Sequence, residues 1–342
     1  SLLANVKSHS QSSWQQITNI NPSSLINNLY GIDVSFINDS TGFLASSDTN
    51  IFKTTDRGNS WHKIGSVSHN PLRSICFIND SVGFAGTLSS STTSLGSLYK
   101  TIDGGVSWSL ITNMQMQQYD GICGIENHGN RLAAVGTFGS APRFYLSDNF
   151  GSTWTIVHLD SLASGLVDCF FISHDTILVS GIYNTSNHFY ATILQSNDGG
   201  LTWARNFLST IPESYCWKLF INRNGKGLAS IQTALAHTSS QYVAVSNDFG
   251  LNWQEKLIDT VFSIQGFMAA GVCLLNDTLG WVSSEYTGVT YQTNDGGNTW
   301  FYIPLVEGIN RFAVLDSQTV IAPGYGSIFK FGNSLTAISE TP

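Results

Sequence analysis

The stretch TNDGGNTW at residues 293–300 decides the fold, because close copies of it recur along the chain. Each copy has a hydroxyl residue at its first position, Asp or Asn at its third, Gly at its fifth and Trp at its eighth. We call these segments the repeat loops. The six repeat loops occupy residues 54–61, 101–108, 147–154, 196–203, 246–253 and 293–300.

The spacing of the repeat loops is that of a propeller blade. Their tryptophans follow one another at intervals of 47, 46, 49, 50 and 47 residues, which is the length of one four-stranded blade. Between two loops the sequence has short apolar runs separated by Gly and Asn-Asp turns, as in VSFINDSTGFLASSDTNIFKTT at residues 34–55. That pattern is typical of β-strands. The sequence therefore predicts an all-β chain folded as a β-propeller.

The two ends of the chain give the number of blades. Trp14 lies 47 residues before Trp61, in register with the repeat, although no loop precedes it. Residues 308–334 supply three strands without a tryptophan. We predict seven four-stranded antiparallel blades in one domain of residues 1–334. A strand within residues 1–20 completes the last blade, formed by residues 308–334, and so removes its open edge. Residues 335–342 are predicted to be a C-terminal linker.

The repeat loops are predicted to be structural turns. An Asp in a tight turn accepts backbone N–H bonds, the Gly two residues later can adopt positive φ, and the Trp buries a large ring. Catalysis or calcium binding would require acids from different copies to converge, whereas one copy per blade keeps them apart. Asn can make the same turn bonds without a charge. The structural residues are Asp56, Asp103, Asn149, Asp198, Asp248 and Asp295, with Trp61, Trp108, Trp154, Trp203, Trp253 and Trp300.

Candidate binding residues lie at the opposite end of the blades. If the repeat loops mark the lower face, strand alternation puts the starts of the innermost strands on the upper face. Aligning these strands on their cysteines brings charged residues to one level at the channel mouth. Those residues are Arg73, Asp120 and Glu213, each three residues before a cysteine, together with Asp33, Asp168 and Arg311. Tyr183 and Tyr286 lie in or near the upper loops, where their rings stack on a sugar or a partner, or anchor the loops.

Three explanations fit such a ring of mixed charge. In one of them the ring has no function, because the mouth of a channel is hydrated and charged in any case. The other two are functions. One is binding of a polar ligand, and the other is glycoside hydrolysis by a pair of carboxylates.

The formal net charge of −8, with only 15 Lys and Arg, argues against nucleic acid and anionic membranes as partners. No run of apolar residues is long enough to insert into a membrane.

The cysteines and histidines predict neither disulfides nor a metal centre. Five cysteines occur once each in five successive blades, an odd count that does not suit a disulfide framework. We expect them to act as small apolar core residues, with a ring of metal ligands as the alternative. The histidines have no metal-ligand spacing. No metal and no cofactor are predicted. The cysteines are Cys76, Cys123, Cys169, Cys216 and Cys273.

The loop pattern resembles the Asp-box, also called the BNR repeat. The segments DVSFINDSTGFLASSDTNIFKTTDRGNSW (33–61) and NDTLGWVSSEYTGVTYQTNDGGNTW (276–300) resemble repeats of the photosystem II stability/assembly factor family. This resemblance implies a propeller that binds protein and is not an enzyme. Sialidases also contain Asp-boxes, but they need an early Phe-Arg-Ile-Pro sequence, which this chain lacks.

Two features favour an extracellular or cell-surface location, after removal of a signal peptide. The tail NSLTAISETP at residues 333–342 resembles the linker before a C-terminal type IX secretion sorting domain, and only 11% of residues are charged. We therefore expect a secreted, monomeric, non-enzymatic propeller that binds a protein or a glycan through its upper face. The alternative is a glycoside hydrolase or sialidase-like enzyme. Its acids would be among Asp33, Asp120, Asp168 and Glu213.

Overall fold

A computed structural model describes most of the chain. The described residues are 12–23, 29–67, 71–88, 98–114, 116, 121–136, 141–233, 241–259, 269–284, 288–305 and 308–332. Across these ranges the chain forms 29 β-strands in seven sheets and no α-helix. Within the same ranges, no helix has the length and apolar character needed to cross a membrane.

We number the sheets as blades 1 to 7 in chain order. Blade 1 contains β3 (Gly31–Phe36), β4 (Gly42–Ser46), β5 (Asn50–Thr54) and β6 (Trp61–Ser66), with β2 (Ile20–Asn21) at its outer edge. Blade 2 contains β7 (Leu72–Phe77), β8 (Gly83–Thr87), β9 (Leu98–Thr101) and β10 (Ser109–Leu110). Blade 3 contains β11 (Gly124–His128), β12 (Arg131–Val135), β13 (Arg143–Ser147) and β14 (Thr155–His158).

The remaining blades follow the same order. Blade 4 contains β15 (Gly165–Phe171), β16 (Ile177–Asn184), β17 (Phe189–Ser196) and β18 (Ala204–Leu208). Blade 5 contains β19 (Ser214–Ile221), β20 (Gly227–Thr233), β21 (Gln241–Ser246) and β22 (Gln254–Asp259). Blade 6 contains β23 (Ala269–Leu274), β24 (Gly280–Ser284), β25 (Thr290–Thr293) and β26 (Phe301–Ile303). Blade 7 contains β27 (Ala313–Asp316), β28 (Thr319–Pro323), β29 (Ile328–Gly332) and β1 (Ser13–Ile17).

The blades close into a ring around their innermost strands. The first strand of each blade contacts the first strand of the next, and β27 of blade 7 contacts β3 of blade 1. In blade 7, β1 pairs antiparallel with β29, with Trp14 opposite Phe331. The predicted seven-bladed propeller of four-stranded antiparallel blades, closed by the N-terminal strand, is therefore confirmed. The parallel pairing of β2 with β6 is an addition that the sequence did not predict.

The hydrophobic core lies between neighbouring blades. Phe43 of blade 1 stacks on Phe77 of blade 2 with ring centroids 3.5 Å apart, and Phe144 of blade 3 meets Trp203 of blade 4 edge-on at 4.8 Å. The second strands β4, β8, β12, β24 and β28 are buried at every position. A blade is thus covered on both faces, which explains the near-continuous apolar runs in the sequence.

Candidate functional site

The repeat loops mark one end of the ring, which we call the lower face. Each loop is tied to the turn that follows the innermost strand of its own blade: Arg57 N donates to Ser40 O (3.0 Å), and Gly199 N donates to Asp175 O (2.8 Å). All innermost strands therefore end at the lower face and begin at the opposite end, the upper face. The channel around the axis is lined by β3, β7, β11, β15, β19, β23 and β27.

The acid of each repeat loop bonds within its own turn. In blade 1, Asp56 accepts the backbone N–H of Ser60 (2.9 Å), the Ser60 hydroxyl (2.6 Å) and the Thr54 hydroxyl (2.8 Å). Thr54 Oγ1 in turn accepts Gly58 N–H at 3.0 Å, and Trp61 Nε1 donates to Gly58 O at 3.2 Å. The φ of +76° at Gly58 is a conformation that only glycine adopts at little cost.

The other five loops repeat these bonds, except that Trp154 Nε1 in blade 3 has no partner among the described residues. Each acid accepts the N–H of the residue four positions later at 2.8 to 2.9 Å, and Asn149 in blade 3 does the same toward Thr153. Hydrogen bonds from Ser107 and Thr202 lower the pKa of Asp103 and Asp198 to about 2. Burial opposes the shift at Asp295, but the bonds from Thr299 and Thr293 still lower its pKa to about 2. The acids of the repeat loops thus use their carboxylate oxygens for hydrogen bonds within their own turns.

A buried ion-paired group occupies the axis. Arg311, just before β27, donates from Nε to Asp33 Oδ1 (2.9 Å) and from Nη2 and Nη1 to Asp168 Oδ1 (2.7 Å) and Oδ2 (3.2 Å). Lys218 Nζ lies 3.7 Å from Asp168 Oδ1. The side chains of Asp168 and Lys218 are 0% and 2% exposed. We call Asp33, Asp168, Lys218 and Arg311 the axial cluster.

Backbone irregularities turn the axial side chains toward one another. The pairing register shifts between Gly31 and Asp33, between Leu166 and Asp168, and between Cys216 and Leu219. Such β-bulges re-aim side chains next to functional or crowded positions. The second oxygens of the acids then reach neighbouring blades: Asp33 Oδ2 accepts Ile75 N–H (2.9 Å) and Asp168 Oδ2 accepts Leu219 N–H (3.1 Å).

The electrostatics of the axial cluster keep its arginine charged. Burial by itself lowers the pKa of Arg311, but the carboxylates of Asp168 and Asp33 outweigh burial and raise it. Burial and the charge of Arg311 lower the pKa of Lys218. Because both acids share one guanidinium and accept backbone N–H bonds, neither is free to act as a general acid, base or nucleophile.

The structure brings together three of the eight candidate site residues, Asp33, Asp168 and Arg311. Glu213 lies at the upper end of blade 5, where its Oε1 is 2.8 Å from His188 Nδ1. Arg73 reaches from blade 2 to the Trp217 ring of blade 5, with its guanidinium 5.6 Å from the ring centroid. The Tyr183 ring is covered by the Arg205 guanidinium at 3.9 Å. Asp120 and Tyr286 lie outside the described residues.

In a group of three rings near the upper face, Phe189 was among the rings expected there from the sequence, whereas Tyr215 and Trp217 were missed. Phe189 and Tyr215 lie 4.6 Å apart, Tyr215 and Trp217 lie 5.9 Å apart and are stacked, and all three rings are partly exposed. We call Phe189, Tyr215 and Trp217 the upper aromatic cluster. Its signal in the sequence is the SYCWK segment, in which Tyr215 and Trp217 flank the aligned Cys216.

A cavity of about 200 Å³ lies in the channel between the axial cluster and the lower face. It is lined by the second halves of innermost strands, including Phe36, Glu126, Phe170 and Phe220. Burial raises the pKa of Glu126 to about 8, although the positive charge of Arg311 acts in the opposite direction. Sequence reasoning did not single out Glu126, because an acid in a GIEN segment gives no sign that it faces a channel.

The five cysteines are all buried and free of disulfides. Burial raises the pKa of the thiols of Cys76, Cys169 and Cys273 well above the ordinary value, so they are protonated and weakly nucleophilic. Cys76 Sγ donates to Asn127 Oδ1 at 3.2 Å. In the described part of the chain, no group of three or more His, Cys, Asp and Glu residues is placed to hold a metal ion.

Comparison with known proteins supports the fold and goes no further. No protein-family model matches the sequence, and no curated protein matches it significantly. Among solved structures, the chain is similar to YCF48 bound to D1 peptide, with a TM-score of 0.63 and 15% identity over 96% of this chain and 98% of that chain. It is also similar to YCF48 from Cyanidioschyzon merolae, with a TM-score of 0.65 and 17% identity over 94% and 99% of the two chains.

An enzyme has a similar fold too. The chain aligns with the GH74 xyloglucanase from Xanthomonas campestris with a TM-score of 0.64 and 12% identity, over 93% of this chain and 53% of that chain. The chain thus spans about half the length of that enzyme. At these identities the similarity establishes the propeller fold, which hosts both binding proteins and enzymes.

Proposed function

We propose that this chain is a non-enzymatic β-propeller that binds a polypeptide segment through its upper face, at the upper aromatic cluster. The observation that carries the proposal is the partly exposed row of Phe189, Tyr215 and Trp217 beside the channel. Large rings with little side-chain entropy to lose are the usual anchors of protein interfaces. The paired His188 and Glu213 add polar groups at the edge of the same surface.

The state of the acids supports binding rather than hydrolysis. A glycosidase needs two carboxyl groups about 5 to 10 Å apart, one of them free to donate a proton. Asp33 and Asp168 are both bound to Arg311. Glu213, the remaining described candidate, is paired with His188.

The structural neighbours support a protein partner. YCF48 has been solved bound to D1 peptide, and its similarity to this chain extends over nearly the whole of both chains. This supports the similarity to photosystem II assembly factors drawn from the repeats.

We further infer that the repeat loops are Asp-boxes, because each has the spacing of that motif and the same internal hydrogen bonds. We also propose an extracellular or cell-surface monomer, on the basis of its low-charge sequence.

The test selects ligands without assuming their identity. The purified chain is screened against a displayed random-peptide library and, in parallel, a glycan array and a panel of polysaccharides for hydrolysis. We expect peptide binders whose affinity falls about tenfold or more in Trp217→Ala, since buried aromatic anchors dominate interface energies. Tyr302→Ala is the matched control, because Tyr302 is an exposed ring (53%) on the outermost strand of blade 6.

Three outcomes would contradict the proposal. They are peptide binding that both variants retain, selection of glycans alone, and hydrolysis of a polysaccharide that Asp168→Asn or Glu213→Gln abolishes. The last result would favour a glycosidase. Circular dichroism of each variant establishes that it is folded before binding is compared.

A further inference from the structure

The channel cavity near the lower face is lined by rings and by two carboxyl groups, those of Asp33 and Glu126. The axial cluster closes its upper end, through Arg311 and Asp33. Phe36, Phe170 and Phe220 contribute rings to its walls, and the Phe170 and Phe220 centroids lie 6.0 Å apart. These rings are partly exposed, whereas the residues of the axial cluster above them are more deeply buried. The cavity therefore opens toward the lower face, opposite the upper aromatic cluster.

The polar side chains that line the cavity each have a partner, except for Glu126. Arg311 donates three N–H hydrogen bonds to the carboxylates of Asp33 and Asp168. Ser35 Oγ accepts Phe77 N–H at 3.1 Å, and Asn127 Oδ1 accepts the Cys76 thiol. Among the described residues, the side-chain carboxyl of Glu126 makes no hydrogen bond and no ion pair. The group left to receive a ligand is thus a carboxyl oxygen, which favours a ligand that donates hydrogen bonds.

The charges around the cavity favour a cation. The titratable groups that face Glu126 are Asp33, Asp168, Arg311 and Lys218, with the protonated thiols of Cys76 and Cys169. The two acids and the two bases cancel formally, so ionised Glu126 adds a negative charge without a counter-ion. Burying such a charge is unfavourable unless it is paired, and a bound cation would supply the pair.

We propose that this cavity binds a small organic cation, an alkylammonium group, with its charge at Glu126 and its carbon chain against the rings of Phe36, Phe170 and Phe220. Ammonium groups are attracted to aromatic faces, most strongly when water is excluded. The volume of about 200 Å³ lies below that of pockets for drug-sized ligands and suits a ligand of side-chain size. The ligand comes either as a free amine or as a lysine side chain of a partner.

Binding should depend on pH in a definite direction. With a pKa of about 8, about a tenth of the Glu126 carboxyls are ionised at pH 7 and about nine tenths at pH 9. An alkylammonium ion keeps its proton over this range, since its pKa is above about 10. Because only the ionised carboxylate pairs with the cation, the apparent affinity should rise about tenfold from pH 7 to pH 9.

The experiment is calorimetric titration of the whole chain with n-butylammonium chloride at pH 7 and pH 9. We expect binding that tightens about tenfold at the higher pH, with no binding of the uncharged n-butanol. Glu126→Gln, which keeps the shape of the side chain, should abolish both the binding and its pH dependence. Asp39→Asn is the control, because Asp39 is an exposed acid (71%) on the same face outside the cavity.

Several results would overturn the proposal. They are no binding of n-butylammonium at either pH, equal affinity for n-butanol, and binding that Glu126→Gln retains. The pH dependence in the unmodified chain tests the role of a titrating carboxyl even if that variant fails to fold. Competition by a Gly-Gly-Lys-Gly-Gly peptide would identify a lysine side chain as the source, and its failure to compete would identify a free amine. Trp217→Ala should leave the titration unchanged, so this proposal and the peptide-binding proposal can fail independently.

Discussion

At the scale of single residues, the aspartates of the repeat loops are charged side chains with a structural role rather than a catalytic one. Asp295 accepts the N–H groups of Asn298 (3.0 Å) and Thr299 (2.9 Å), and the hydroxyls of Thr293 (2.8 Å) and Thr299 (2.5 Å). Without this carboxylate the two N–H groups would depend on water alone. These bonds stabilise the ionised carboxylate and so lower the pKa of Asp295 to about 2.

We therefore expect Asp295→Ala to lower the free energy of unfolding by about 1 to 2 kcal/mol, the usual effect of losing hydrogen bonds to an ionised acceptor at a partly exposed position. Asp295→Asn should cost less, because Asn149 makes the equivalent bond to Thr153 N–H in blade 3. Urea denaturation of both variants at pH 7 measures the difference. Equal destabilisation by Ala and Asn would mean that the side-chain bonds contribute little.

The same aspartate predicts how the stability changes in acid. Because its pKa is lower in the folded chain than in the unfolded one, its contribution is present above about pH 4 and is lost as the pH falls toward 2. The difference in stability between Asp295→Asn and the unmodified chain should therefore shrink over that interval. The denaturation series repeated at pH 4 and pH 2.5 provides this measurement.

At the scale of elements, the N-terminal strand β1 (Ser13–Ile17) holds blade 7 closed. Trp14 packs against Trp281 of blade 6 at 5.1 Å and against Phe331 and Phe312 at 5.4 and 6.1 Å. It differs from five of the six loop tryptophans in one respect. The indole N–H of Trp61 donates to the carbonyl of Gly58, whereas those of Trp14 and of the loop residue Trp154 are buried without a partner among the described residues.

Trp14→Ala should destabilise the chain by about 2 to 4 kcal/mol, because it removes a ring from the junction of blades 6 and 7 and leaves a cavity. Gln15→Ala on the same strand is the control. Gln15 is exposed, so its truncation should change the stability by less than about 0.5 kcal/mol. The readout is thermal and urea unfolding of both variants. A similar effect of the two substitutions would show that β1 contributes only backbone pairing.

The elements divide into those that the sequence could predict and those that it could not. The interval of 47 residues between Trp14 and Trp61 was enough to predict β1, since each blade repeats one hydrophobic pattern. The strand β2, which pairs through Ile20 and Asn21 with Trp61 and His62, has no such signal. Two residues carry no periodicity, and their pairing depends on where the chain passes after β1.

At the scale of the whole molecule, the axial cluster joins blades across the channel. Arg311 belongs to the start of blade 7 and binds Asp33 of blade 1 and Asp168 of blade 4. Alignment on the cysteines placed these three residues at one level. It could not predict that they are ion-paired, because the register shifts in β3 and β15 decide which way each side chain points. Lys218 was missed for the same reason, as it lies within the irregular stretch between Cys216 and Leu219.

The last prediction follows from this connection. Arg311→Met leaves Asp33 and Asp168 buried without a counter-ion, and such a change costs about 3 to 5 kcal/mol. Arg57→Met is the matched control, since Arg57 also joins blades 1 and 7, through an ion pair with Asp316 that is partly exposed. That loss should cost less than about 1 kcal/mol.

A triple variant separates charge from packing. If uncompensated charge is the cause, adding Asp33→Asn and Asp168→Asn to Arg311→Met should recover most of the lost stability, since neutral amides are far less costly to bury than unpaired carboxylates. Urea unfolding followed by tryptophan fluorescence reports on all blades at once. Equal losses in Arg311→Met and Arg57→Met, or no recovery in the triple variant, would show that the cluster holds the ring by packing and that its charges do not link the blades.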